Sequence, residues 1–384
     1  MAELSATSPA RRFLLECSGA CGDLGTFIPH VIGAMTVAGL APAGVLLGFA
    51  FFLIGTGLFY GLPLPVQPMK AVSAVILTGG LRPGEVAAAG IMLGIVLLVL
   101  GVTGWIGRLA HAIPQSVSAG LQLGLGLLMG VLGLKLILET PWLGFGSLVL
   151  LFTLTRIPRC PAAPVALGVA VIAGASTGNV GGTHEAAIST GMPGIVPPSW
   201  GEIWRSFQVA VLPQLSLTLT NAVIVTASLS RELFPVTGSI ASERNLALSS
   251  GIANVLLCPF GAMPMCHGAG GLAAQFRFGA RTGLAPIIFG AVLLVLAVGL
   301  ARHASALFAL IPVGAVGALL ILAGADLAIS RRLFDGRPSC SWVIGATALI
   351  TVTVNPALGL ILGWVAEFIR AAVVRRIIPE RPEP

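Results

Sequence analysis

The sequence predicts an all-α polytopic membrane protein of fourteen spans, two inverted repeats of seven, with one broken span in each half. Three observations predict it. Charged residues number 35 of 384 (21 Lys+Arg and 14 Asp+Glu), or 9%, where soluble globular chains carry about 25%. The arginines fall almost entirely on one side of the membrane once fourteen spans are drawn. A Pro-Met pair recurs in the third span of each half, as Pro68-Met69 and Pro264-Met265. So few charges, beside 56% hydrophobic residues, cannot cover a water-soluble protein of this size. They exclude a soluble enzyme, a disordered chain and a nucleic-acid binder, despite a net charge of +7.

A membrane-spanning helix takes roughly 20 apolar residues, so the chain holds about 10 to 14 of them and no sizeable extramembrane domain. Apolar runs lie near 18–38, 43–60, 66–79, 84–106, 114–138, 144–157 and 162–176. A polar stretch rich in Gly and Pro follows, then runs near 204–228, 242–258, 263–276, 282–300, 305–328, 340–354 and 356–374. The chain thus divides into a first inverted repeat over 1–176, an extracytoplasmic connector over 177–203 and a second inverted repeat over 204–384. With both termini cytoplasmic, 16 arginines lie inside and only Arg82, Arg205 and Arg302 outside. That is the positive-inside pattern, and a count wrong by one span would scramble it. An odd number of spans per half turns the second half upside down relative to the first.

Outside the broken spans the polar residues read plainly. The N-terminus is short and polar without a secretory signal, so internal helices drive insertion. Asp326 and Glu367, toward the cytoplasmic ends of their spans, read as interfacial partners of arginine. His184 and Glu185 read as solvated groups of the connector. The six cysteines form no C-x-x-C pair and read as small buried hydrophobes. Neither a metal site nor a cofactor is expected.

The broken spans carry the chemistry. Prolines at 63, 65 and 68, and at 259 and 264, forbid regular helix at mid-membrane. Extended backbone followed by a half-helix is the simplest geometry, tolerated at that depth only inside protein or along a cavity. The Pro68 and Pro264 segments lie 196 residues apart (264 − 68). Two half-helix N-termini facing each other would suit a small anion. Gln67, Pro68, Met69 and Lys70 border the first, and Met265, Cys266, His267 and Gly268 the second; Gly268, Gly270 and Gly271 would allow close backbone approach.

Lys70 could give its charge to the anion or pair with Asp23. His267 could donate to an oxyanion, carry a proton or be structural. Asp23, in the first span, is a candidate for proton coupling or for fixing Lys70. Asn221, with Gln214, Ser216, Thr218 and Thr220 in span eight, would supply neutral donors.

CGDLGTFIPHVIGAM, GLPLPVQPMKAVSAV and GAMPMCHGAGGLAAQFRFGARTG closely resemble the molybdate transporter family of the MOT1 type, related to the SulP sulfate permeases. The resemblance implies the seven-plus-seven fold shared by nucleobase and sulfate transporters, with short strands preceding the half-helices. It implies a core and a gate domain, with substrate between spans one, three, eight and ten near Asp23, Gln67, Lys70, Asn221 and His267. Sulfate permeases continue into a cytoplasmic STAS domain; the chain ends at Pro384 soon after the last span, which favours the molybdate branch. Span eight lacks the carboxylate of many proton-coupled relatives, which leaves the coupling residue open. The expected function is secondary active import of a tetrahedral oxyanion, above all molybdate, by alternating access. Sulfate and tungstate share its shape and charge, and a nucleobase is the weaker alternative. Protons, the lipid bilayer of a bacterial-type inner membrane and a second copy in a homodimer are the expected partners.

Overall fold

The structure is a computed structural model that describes residues 9–36, 38–157, 160–177, 194–299, 310–329, 333 and 338–377. Most of the connector, with His184 and Glu185, lies outside the described residues, as do Arg159, Arg302, Arg331, Arg332, Arg337 and Arg381.

The first half runs α1 (Pro9–Ala20), a 3-10 turn at Cys21–Asp23, α2 (Leu24–Thr36), α3 (Pro42–Tyr60), β1 (Gln67–Pro68), α4 (Lys70–Gly79), α5 (Pro83–Thr103), a short α6 (Ile106–Ala112), α7 (Gln115–Glu139), α8 (Pro141–Thr155) and α9 (Ala162–Ser176). The second half opens on one long helix: α10 (Trp200–Ser206), α11 (Leu212–Leu217) and α12 (Thr226–Leu233), joined by π-helical segments at Phe207–Val211 and Thr218–Val225. It continues with α13 (Glu243–Leu257), β2 (Met265–Cys266), α14 (Ala269–Phe278), α15 (Leu284–Gly299), α16 (Val313–Ala328), α17 (Ser341–Thr353) and α18 (Pro356–Ile377). Taking α1–α2, β1–α4, α10–α12 and β2–α14 as single spans, and leaving out α6, gives fourteen. Five helices are long and apolar enough to cross a bilayer by length and composition alone; six more are shorter and apolar.

Local sequence sets the ends. Pro42, Pro83 and Pro141 stand in the first turn of α3, α5 and α8, where a missing N–H costs nothing. Gly61, Gly80, Gly104 and Gly279 close α3, α4, α5 and α14 at positive φ.

The packing obeys the inverted symmetry. α3 packs on α15 and α5 on α13, which is one contact seen from each half. Likewise α7–α17 mirrors α16–α8, and α17–α18 mirrors α8–α9. The α7–α16 crossing is its own mirror image. There a Cβ on Gly133 would stand 2.6 Å from the carbonyl oxygen of Gly317, and one on Gly317 2.5 Å from that of Gly133. Without glycine at both positions the helices could not approach so closely. Helices α7–α9 and α16–α18 thus form one body, and the remaining spans pack around the two broken elements. Large apolar side chains such as Leu58, Ile172, Val298 and Phe368 stay exposed on the outer surface, where lipid tails would cover them.

Candidate substrate site

At the centre, β1 and β2 cross in an antiparallel pair, with Gln67 opposite Cys266 and Pro68 opposite Met265. Beyond it, Met69 donates its N–H to Pro264 O at 2.9 Å. Proline supplies no donor, so the outer edge of β2 needs another partner. Asn254, fully buried on α13, provides it. Its Oδ1 accepts from Met265 N at 2.9 Å and its Nδ2 donates to Met265 O at 2.6 Å.

These bonds set where the half-helices begin. Pro68 and Pro264 do not occupy first turns: α4 begins at Lys70, and α14 begins at Ala269, five residues after Pro264 (269 − 264). The backbone stays extended while the amides of Met69 and Met265 are engaged outside a helix. His267 therefore precedes α14 and does not lie in its first turn.

The two half-helix ends differ. Gln214, on α11, accepts from Ala71 N at 2.8 Å and Val72 N at 3.2 Å through Oε1, and donates from Nε2 to Thr218 Oγ1 at 2.8 Å. The first end, expected to face the anion, is thus already capped. At the second, Gly268 is extended and no side chain among those described bonds the leading N–H groups of α14, so they keep the open, positive end of the helix dipole.

Asp23 sits in the 3-10 turn that interrupts the first span, 2% exposed. It does not pair with Lys70: its Oδ1 accepts from Gln67 Nε2, and its Oδ2 has no hydrogen-bond partner among the described residues. Glycine makes room for that pair. A Cβ on Gly271 would stand 2.7 Å from Asp23 Oδ1 and from Gln67 Nε2, whereas one on Gly270 would meet nothing within 4 Å. Gly268 likewise yields to the Gln67 side chain. Gly268 and Gly271 thus admit protein atoms, and Gly270 alone borders free space.

His267 is also committed to the protein. Its Nδ1 lies 3.0 Å from Pro65 O, which can only accept, so Nδ1 carries the hydrogen. Nε2 then accepts from Ser249 Oγ at 2.9 Å, and Ser249 is held by Tyr60 at 2.8 Å. The expected donation from the ring to an oxyanion has no free nitrogen to make it.

A cavity of about 310 Å³ opens between the two half-helices. Of the expected residues, Gln67, Pro68, Lys70, Cys266, His267 and Gly268 line it. Met69 and Met265 do not; both are fully buried in the apolar core. Asn221 falls in the Thr218–Val225 π segment, and its side chain lies outside the described residues. Lys70 is half-buried and makes no hydrogen bond or ion pair among the described residues, yet it stands within electrostatic reach of Asp23, His30, Cys266 and Asp326. Asp326, expected as an interfacial partner of arginine, lines this cavity and also a wider one that Arg156 and Arg277 border, while Glu367 pairs with Arg370 at 2.6 Å. Gln122, Asn254, Ser249 and His30, which holds Ser73 at 2.7 Å, carry no sequence expectation. An amide in the middle of an apolar run, as in SAGLQLGLG or SSGIANVLL, is the signal that marks the first two.

A family model described as "Molybdate transporter of MFS superfamily" matches residues 15–129 and 206–327, which contain every residue of this site. The chain belongs to this molybdate transporter family. Molybdate transporter 1 of Arabidopsis thaliana is 32% identical over 405 residues, covering 92% of this chain and 87% of its own. Molybdate transporter 2 of the same plant is 30% identical, covering 89% and 84%. Among solved structures, the membrane domain of the cyanobacterial bicarbonate transporter BicA shares the fold, with a TM-score of 0.69 at 17% identity over 92% of this chain and 97% of that one. This molybdate transporter family member is thus a multi-pass membrane protein whose inverted repeats meet at two crossed strands.

Proposed function

We propose that this chain imports a tetrahedral oxyanion, molybdate, by alternating access between the body formed by α7–α9 and α16–α18 and the remaining spans. The observation that carries the proposal is Lys70: a cation without an ion-pair partner among the described residues, in a cavity of about 310 Å³ that the N-terminus of α14 also lines. A charge withdrawn even partly from water is costly, and a counter-ion supplied by substrate relieves it. The names of the Arabidopsis relatives support molybdate in particular.

Orientation follows from the arginine distribution, with both termini cytoplasmic in an inner membrane. On that orientation a wider cavity of about 960 Å³, bordered by Arg156 and Arg277, opens toward the cytoplasm below the central one. It would receive released anion between positive walls. Of the two candidate proton carriers, Asp23 keeps an oxygen without a partner among the described residues and His267 has both nitrogens engaged, so we assign proton coupling to Asp23.

Uptake of labelled molybdate by cells or proteoliposomes, with sulfate, tungstate and a nucleobase as competitors, tests the substrate. Saturable molybdate uptake that sulfate displaces poorly is expected. Preferential sulfate transport would replace molybdate with sulfate and leave the site unchanged.

A further inference from the structure

Another cavity, of about 400 Å³, shares no lining residue with the central cavity or the wider vestibule. α2 lines it from Leu24 to Met35, together with α3, α15 and the residues Pro164 and Leu167 of α9. Every lining residue among those described is apolar. Val292 and Leu296 of α15 border it at 50% and 37% exposure, on the helix that also carries the exposed Val295 and Val298. The cavity is therefore a groove that opens on the lipid-covered surface. Leu24 to Met35 is eleven steps of helix (35 − 24), a rise of about 16 Å or half the hydrocarbon core. About 400 Å³ over that length is a section of roughly 25 Å², too narrow for a helix about 10 Å across. One hydrocarbon chain fits it.

Water finds no polar partner in such a groove. Apolar walls that face no atoms forfeit dispersion contacts, so they favour an occupant. A lipid tail is as apolar as leucine; it gains packing on entry and desolvates nothing polar. The bilayer already covers the edge of the groove, which makes its tails the occupant at hand. From these observations we infer that one phospholipid acyl chain binds in this groove and favours the arrangement of the two bodies seen in this structure. On the orientation proposed above, α2 runs outward from Asp23, so the chain belongs to the extracytoplasmic leaflet. α2, α3 and α15 are among the spans around the broken elements, whereas α9 belongs to the body of α7–α9 and α16–α18. Movement of one against the other reshapes the groove, and a tail that fits one arrangement better shifts the equilibrium toward it. This coupling rests on the alternating access proposed above; the binding site does not.

The test reconstitutes the wild type in dioleoyl phosphatidylcholine vesicles that contain a phosphatidylcholine with a diazirine in its acyl chain, and maps the photolabel by peptide mass spectrometry. Label should be several-fold denser on Phe27, Val31 and Leu293 than on Ile172 and Phe368, which face lipid on the open surface. Label no denser in the groove than on those two residues overturns the inference. Labelled molybdate uptake reads the coupling. Diphytanoyl chains, whose methyl branches exceed the section of the groove, should change wild-type uptake by at least about threefold. Ala297→Phe places a ring in the groove and should give equal uptake in the two lipids. Equal responses of wild type and Ala297→Phe overturn the coupling, because they report the bilayer and not the groove. If Ala297→Phe does not insert, Ala43→Phe from α3 takes its place, and the labelling map needs neither variant. A wild type without molybdate uptake would overturn the transport reading, while the labelling map would still decide the site.

Discussion

The amide of Met69 donates to the carbonyl of Pro264, and the strand pairing sets Pro68 opposite Met265. Adding 196 to 68 and 69 gives 264 and 265, so the two residue pairs are related by the repeat, although Met265 gives its own N–H to Asn254. The two halves of the chain therefore meet on a two-fold axis that passes between these residues. The symmetry ends immediately beyond them, since α4 starts at Lys70 and α14 only at Ala269. One half gives the site a charged side chain on a capped helix, and the other gives it a bare helix end.

Lys70→Ala should insert normally and lose substrate affinity. A hydrogen bond to a charged group is worth about 1.5–3 kcal/mol, which is about 10- to 150-fold in affinity. Concentration-dependent molybdate uptake, normalised to protein in the membrane, measures it. Unchanged affinity would remove Lys70 from the site.

Gln214→Glu should separate stability from binding. A carboxylate can still cap Ala71 and Val72 and favours the positive end of α4, so thermal unfolding in detergent should hold. Its charge would oppose the anion, and apparent affinity should fall by about tenfold or more, or about 1.4 kcal/mol. Gln214→Ala should do the reverse, losing about 0.5–2 kcal/mol of capping without adding repulsion. Equal effects of the two substitutions on binding would contradict this.

Gly270→Ala and Gly271→Ala differ by one residue and should differ in kind. At Gly271 the methyl would displace Asp23 and Gln67, an overpacking that costs about 1–3 kcal/mol. At Gly270 it would extend into free space, leaving stability intact and narrowing the cavity. Melting temperature and uptake, read together, check both; a stable Gly271→Ala with normal uptake would show that the Asp23–Gln67 contact is dispensable.

Asn254→Leu should be among the most damaging changes distant from the ligand. It leaves the N–H and C=O of Met265 without their buried partner, at about 1–3 kcal/mol each. Low yield and a lowered melting temperature are expected, with Asn254→Asp impaired because a carboxylate cannot donate to Met265 O. Wild-type stability in either variant would refute the role assigned to this amide.

Much of this protein is legible in its sequence because the bilayer applies simple rules. Charge scarcity, apolar runs, arginine sidedness and the recurring Pro-Met pair determine a polytopic membrane fold of fourteen spans with a broken element in each half. They also single out Lys70 and Asp23, because ionised groups are rare at such depth. Only the tertiary structure decided what those groups touch. Gln214 comes from span eight to cap α4, Asp23 turns to Gln67 and away from Lys70, and His267 spends both nitrogens on Pro65 and Ser249. Asp326 reaches the cavity wall because the packing of α16 against α7 places it there. The physical reason is range. Hydropathy and backbone propensity act along a few residues of chain, whereas each of these contacts joins segments separated by dozens to hundreds of residues and exists only once the helices have packed.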